Sequence, residues 1–330
     1  MTKFWSIFFS CIENPFPSLR IWVDHYNIII SFLISLFFHI YQIITEIPSS
    51  NLYFNISHIN YYILPKFAVA ICVRLEMIYL EEWINYYFQI GFNRIYLVDT
   101  NHKDEEKNLQ QFLSSWDNIY YINQRDEQSF DKNQPSFYTN IYRSLPPNYW
   151  LLIADIDEFL TLRNGITLQQ IAYYGEKEKC IAFKFHYLPY GNNGYLKYSN
   201  KSVLKRFQYP TKEPYEPDDI DNFIKTFIKS GFDDITLDVH SSISSNPNYI
   251  ACDGDLRPLP SSLFNNHIIN PPRMKYVYIK HFFSKSQEEY LTKIFRHHDN
   301  STLKRYSLAS YRINDRFPNI PFIGHFDKTM

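Results

Sequence analysis

Three acids fall within four residues at the end of an apolar run: Tyr149 to Leu160 reads YWLLIADIDEFL and delivers Asp155, Asp157 and Glu158. A buried strand rarely ends this way without a use for the charge, because a desolvated carboxylate is costly unless it is paired. Two acids separated by one residue in extended backbone point to the same side. Asp155 and Asp157 are therefore expected to converge on one cation while Ile156 faces the core. Hard oxygen donors of this kind suit Mg2+ or Mn2+. The plainer alternative is a polar strand end whose acids cap the next helix.

A second cluster of unusual residues is the segment YGNNGY, since a chain with only 8 glycines places Gly191 and Gly194 within it. Glycine is needed where backbone approaches a ligand closely or takes positive φ. The same spelling also makes an ordinary tight turn. Phe185, Tyr187, Tyr190 and Tyr195 surround it and could stack on a ligand or simply pack. Further on, His281 ends the apolar run YVYIK. Lys285 follows it directly before a helix start, with Ser286 as N-cap and Glu289 at the capping-box position.

These residues need a frame, and from Pro65 onward short apolar runs alternate with helix-period segments, the pattern of βαβ units. KFAVAICV (66–73) reads as a buried strand. Residues 77–90 place Leu80, Trp83, Ile84, Tyr87 and Phe88 on one helical face, stopped by Gly91. RIYLV closes on Asp99, residues 118–122 form a third strand, and YWLLIA closes on Asp155. In open α/β sheets ligands bind outside the carboxyl ends of the strands, which is where these acids stand. Residues 241–262, rich in Ser, Pro and Asn, read as a long surface excursion.

Phosphatases of the haloacid dehalogenase type also carry D-x-D after a hydrophobic strand. Their pattern continues to Thr or Val, where this chain has Phe159, and they carry it on the first strand. The chain resembles instead the glycosyltransferases of the family-2-like and family-92 type, which have the GT-A fold. Five blocks in order carry the resemblance. The first is a strand followed by K-N-E and an E-W helix, here Arg74-Leu75-Glu76, Glu82-Trp83 and Gly91. The second is D-N-x-S-x-D, here Asp99 to Asp104 with Thr100 and His102 departing. The third has Gln134 and Tyr138 ahead of Trp150 and the D-x-D-E-F of Asp155 to Phe159. The fourth is the glycine loop at Tyr190 to Gly194, followed by a basic strand with Lys205-Arg206-Phe207. The last is H-[YF]-x-x-K-S, intact from His281 to Ser286.

The resemblance implies a mixed, mostly parallel α/β sheet flanked by helices, of GT-A (Rossmann-like) type. It implies a metal-dependent glycosyltransferase taking a nucleotide-sugar donor, UDP by family habit, and a glycan acceptor, with inversion. Asp155, Asp157 and His281 would hold Mn2+ or Mg2+. Glu76, Asp99, Asp155, Gly191, Gly194, Lys225 and Lys285 would line the nucleotide-sugar site. The general base would lie between the glycine loop and the late histidine, and Asp238 is selected because TLDVH reads as a strand with His240 on the same face. A catalytically degenerate fold that only binds carbohydrate is the alternative, motivated by Leu75, Thr100 and His102.

Composition narrows the rest. With 33 basic and 34 acidic residues and a net charge of −1 there is no electrostatic case for nucleic acid. Aromatics at 18% exclude a disordered or linker protein. Cys11, Cys72, Cys180 and Cys252 are too scattered for a disulfide scaffold, and Cys72 and Cys180 read as small buried hydrophobes. Residues 1–65 form a separate hydrophobic segment, whose charges are Lys3, Glu13, Arg20, Asp24 and Glu46, ahead of a transferase domain at 66–330. Within the segment, residues 26–44 are close to the length that crosses a bilayer, although His39 and Gln42 interrupt them. They read as a membrane anchor or a packed helix, which makes the protein membrane-associated, single-pass or peripheral, and otherwise cytoplasmic. The sequons at Asn55, Asn200 and Asn300 do not decide between these.

Overall fold

The computed structural model describes residues 64–125, 130–211 and 223–296. The chain divides into two units, Met1–Tyr62 and Ile63–Met330, and every described residue belongs to the second. The hydrophobic stretch at 26–44 lies outside the described residues. Among those described, no helix is long and apolar enough to cross a membrane.

The chain runs through β1 (Lys66–Val73), α1 (Met77–Gln89), β2 (Arg94–Asp99), α2 (Leu109–Leu113), β3 (Ile119–Asn123) and α3 (Phe130–Ser144). It continues through β4 (Tyr149–Ile153), β5 (Glu158–Leu162), α4 (Leu168–Glu178) and β6 (Ala182–Pro189). After α5 (Val203–Arg206) come β7 (Ile224–Lys229), the short β8 (Thr236–Leu237), β9 (Ser242–Ile243) and β10 (Ala251–Asp253), then β11 (Val277–His281) and α6 (Gln287–Arg296). The main sheet has the order β3-β2-β1-β4-β7-β6-β11-β5, with β10 paired to β6. The β1–β2, β1–β4, β2–β3, β6–β10 and β6–β11 pairings are parallel, while β4–β7, β6–β7 and β5–β11 are antiparallel. This is the mixed, mostly parallel α/β sheet that the sequence resemblance implies.

β1 explains why its sequence is apolar without alternation. Phe67, Val69, Ile71 and Val73 enter one hydrophobic cluster, while Ala68, Ala70 and Cys72 enter the other across the sheet, so both faces are covered. α1 buries Leu80, Trp83, Ile84 and Tyr87 against the first cluster, as the helical spacing requires. It ends before Gly91, whose φ of +107° suits glycine alone. On α4, Gly175 is needed for close packing, since a Cβ there would lie 2.7 Å from the Trp150 ring.

Three sequence expectations are corrected. Lys205-Arg206-Phe207 is not a strand: Val203–Arg206 forms a single helical turn, because Glu82 accepts from the Val203 and Leu204 N–H groups and from the Ser202 hydroxyl. Residues 241–262 are not simply a surface excursion. Ser242, Ala251, Cys252 and Asp253 are buried, and β10 adds in parallel to the start of β6. Cys180 is not merely a buried hydrophobe but is disulfide-bonded to Cys252, joining the end of α4 to β10, whereas Cys72 is free and buried.

Candidate functional site

The acids sit in the turn from β4 to β5, and α1 holds that turn in place. Trp83 Nε1 donates to the Asp155 carbonyl at 2.9 Å, and the Tyr87 hydroxyl donates to the Glu158 carbonyl at 3.1 Å. The turn closes on itself, with the Asp155 N–H donating to Glu158 Oε2 and the Glu158 N–H to the Asp155 carbonyl. Because this is a turn and not extended backbone, the two aspartates face different partners. Asp155, with its side chain 39% exposed, meets Lys225 Nζ at 3.0 Å. Asp157 is buried, and its Oδ2 meets Lys293 Nζ at 2.7 Å and Lys285 Nζ at 3.8 Å. Ile156 packs in the core as expected.

His281 arrives on β11 directly opposite Glu158 in the antiparallel register. Its Nε2 lies 3.8 Å from Asp157 Oδ1 and 4.0 Å from Glu158 Oε1. These three residues each offer a ligand atom, all within 4.8 Å of one another, which is the spacing of donors around one metal ion. The convergent set is thus Asp157, Glu158 and His281, with Asp155 turned to Lys225. The sequence pattern marked Glu158 only as a third acid, yet it is the wholly buried one.

Charge inside the cluster is balanced by position. Burial pushes Asp155 up, but Lys225 outweighs it and holds the carboxyl below the usual range. Burial also opposes ionisation of Asp157. Lys293, Lys285 and His281 reverse that and hold it far below the carboxylate range. Glu158 goes the other way. Burial and the nearby Asp155 push it up to about 8, against Lys225 at 3.2 Å and the Tyr187 hydroxyl donating at 2.6 Å. Burial pushes His281 down to about 4, so its ring is neutral at pH 7 and can offer a lone pair. Its Nδ1 is buried with no hydrogen-bond partner among the described residues, which leaves Nε2 as the atom facing the carboxylates.

The remaining expected site residues fall around this centre. Lys225 is fully buried on β7 and bridges Asp155 and Glu158. Lys285, buried and at φ +48°, shares a cavity with Glu76, Tyr79, Phe283, Glu289 and Lys293. Glu76 is the N-cap position of α1. Ser286 and Glu289 form the expected reciprocal cap. Gly191 and Gly194 follow β6, whose end pairs with His281, and the Tyr190 N–H donates to the His281 carbonyl. The loop is pinned by Asn193, which exchanges hydrogen bonds with the backbone of Tyr209. Phe185, Tyr187 and Tyr190 are buried and pack, while Tyr195 is exposed.

Asp99 ends β2 with its carboxylate fully engaged: the Tyr121 hydroxyl, Arg125 Nε and Asn101 Nδ2 all donate to it at 2.6–2.8 Å. Asp238 lies in a turn, its N–H donating to the Ser241 carbonyl, so TLDVH is strand only over Thr236–Leu237. From that turn His240 reaches inward, with Nδ1 3.3 Å from the Tyr187 hydroxyl. Lys293 escapes the motif reading because it approaches Asp157 from far along the chain.

No family profile matches the chain. A glycosyltransferase family 92 protein of Oryza sativa subsp. japonica is 27% identical over 138 residues, covering 41% of this chain and 23% of the rice protein. The chain therefore matches less than a quarter of that relative's length. Among solved structures, S. aureus TarS 1–349 superimposes with a TM-score of 0.32 at 13% identity, over 57% of this chain and 60% of that one. Its complex with UDP-GlcNAc gives 0.29 at 16% identity, over 42% and 38%. In sequence, and over the matched stretch, the chain resembles the glycosyltransferases of family 92.

Proposed function

We propose that the domain is a metal-dependent glycosyltransferase that moves a sugar from a nucleoside diphosphate donor, UDP by the family resemblance, to a carbohydrate hydroxyl with inversion. The observation that supports it best is the triad of Asp157, Glu158 and His281 at the carboxyl ends of the sheet, ringed by Lys225, Lys285 and Lys293. The donor set of two carboxylate oxygens and a neutral imidazole fits Mn2+ or Mg2+. A divalent cation there would neutralise the leaving diphosphate as a Lewis acid.

The protein's own groups have distinct tasks in this reading. Asp155 and Lys225 hold the turn and set its charge. Lys285, at the entry to α6, offers an ammonium to phosphate oxygens in the cavity that Glu76 also lines. Gly191 and Gly194 let backbone approach the sugar next to His281. Asp99 closes the nucleoside end as a structural anchor for Tyr121 and Arg125. The acceptor's proton goes to the 238–241 turn. Asp238 is the carboxylate there, and His240, pushed down to about 4 by burial and by Lys225, is a free base at neutral pH. Residues 26–44 associate the domain with a membrane as a single span or peripherally, and full release by carbonate washing would rule out the span.

Titrating UDP with and without Mn2+ tests the reading. Metal-dependent nucleotide affinity, lost in Asp157→Ala together with sugar transfer, is the expected result. Transfer retained by Asp157→Ala at saturating Mn2+ would sink it, and carbohydrate affinity without nucleotide affinity would favour the degenerate binding fold.

A further inference from the structure

Lys293 stands outside every sequence motif, yet among the described residues it makes the shortest contact to the carboxylate of the central aspartate. Its Nζ lies 2.7 Å from Asp157 Oδ2 and 4.1 Å from the centre of the Phe283 ring, on a side chain that is 14% exposed. The two oxygens of Asp157 are divided. Oδ2 faces Lys293 and Lys285, while Oδ1 faces His281. An ammonium and a divalent ion would thus draw on one buried carboxylate from opposite sides, in a setting where like charges a few ångströms apart repel strongly. Beside Lys293 opens the cavity with Glu76, Tyr79 and Lys285.

Resting on the reading that the triad takes a divalent cation, we propose that Lys293 is a resident counter-ion: it neutralises Asp157 in the cation's absence, competes with the cation for that carboxylate, and turns into the adjoining cavity when the ion binds, where its ammonium meets the donor's diphosphate. The chemistry of the position supports each part. A carboxylate this buried needs a positive partner at all times. The Lys293 ammonium lies over the Phe283 ring, and both residues line the cavity, so the head enters it by side-chain rotation alone. Lys285 holds a second ammonium over the Tyr79 ring at 4.5 Å, so the two lysines flank the same cavity as a pair.

The test uses the full chain and Mn2+ as the probe, with free-ion EPR as readout and no sugar donor present. In Lys293→Met, which removes the ammonium and keeps an unbranched side chain, Mn2+ should bind about tenfold tighter than in the unaltered chain because the competitor is gone. UDP affinity at saturating Mn2+ should fall by about tenfold, with uridine affinity unchanged. Lys293→Arg supplies a second variant in case the first fails to fold: its fork grips the carboxylate harder and should weaken Mn2+ binding by roughly threefold or more. Equal or weaker Mn2+ binding in Lys293→Met, or unchanged binding in Lys293→Arg, overturns the counter-ion role while leaving the transferase reading intact. Absence of Mn2+ binding in the unaltered chain overturns both.

Discussion

Arg206 and Glu289 form a buried bidentate ion pair, with Nη1 2.6 Å from Oε2 and Nη2 2.8 Å from Oε1, joining α5 to α6. Glu289 also accepts from the Tyr79 hydroxyl and from the Ser286 N–H, so this one carboxylate ties α1, α5 and α6 into the wall of the cavity that holds Lys285. Removing Arg206 leaves a desolvated charge behind. Arg206→Met is expected to cost about 3–5 kcal/mol in urea unfolding. Adding Glu289→Gln to that variant should recover part of the loss, since a neutral amide is cheaper to bury. A single variant as stable as the parent would mean that the pair is solvated in solution.

Cation binding should depend on pH through Glu158. Its carboxyl, at about 8 through burial and Asp155, carries a proton at pH 6 to 7 that an incoming ion must displace. His281, at about 4, is already deprotonated there and adds nothing to the profile. Apparent Mn2+ affinity should therefore rise roughly tenfold per pH unit from about 6 to 8 and then level. Glu158→Gln should flatten it. A flat profile in the unaltered chain would remove Glu158 from the ligand set.

The frame of the site was legible in the sequence because its signals are local. The apolar runs of β1, β2 and β4, the helical spacing of α1 and the Ser286–Glu289 cap each depend on residues a few positions apart. What could not be read is long-range. Lys293 meets Asp157 across 136 positions and Lys225 meets Asp155 across 70. Cys180 joins Cys252 across 72. Glu82 turns a segment read as a strand into helix from 121 positions away. The D-x-D spacing misled in one respect only. It assumes extended backbone, whereas Trp83 and the Glu158 side chain fold that stretch into a turn, so Glu158 replaces Asp155 beside His281.

The Cys180–Cys252 bond closes a long loop, which restricts the unfolded chain more than a short one would. Reduction is expected to lower stability by about 4 kcal/mol. A thermal melt with and without reductant, compared with the Cys180→Ser/Cys252→Ser variant, checks it. If the variant matches the reduced protein and both melt well below the oxidised one, the chain is built for an oxidising compartment. Equal melting of all three would show that the thiols are unpaired in solution.

Lys184 on β6 is fully buried, and among the described residues its ammonium has no carboxylate partner but donates to Thr226 Oγ1, Ser242 Oγ and the Ser242 carbonyl at 3.1–3.3 Å. These bonds hold β9, and with it the turn carrying His240, against the sheet. Burial pushes Lys184 down to about 7. The unfolded chain keeps that proton up to about 10.4, so between about 7 and 10 it binds more protons than the folded one, and stability rises with pH across that window. Below about 7 both states are protonated and the contribution is constant. Other groups titrate in the same range, so the difference between the parent and Lys184→Met isolates the effect. The parent should gain on the variant by at most on the order of 5 kcal/mol from pH 7 to 10, read from urea midpoints. Parallel pH profiles would mean that the ammonium reaches water, and that β9 is held by something other than this lysine.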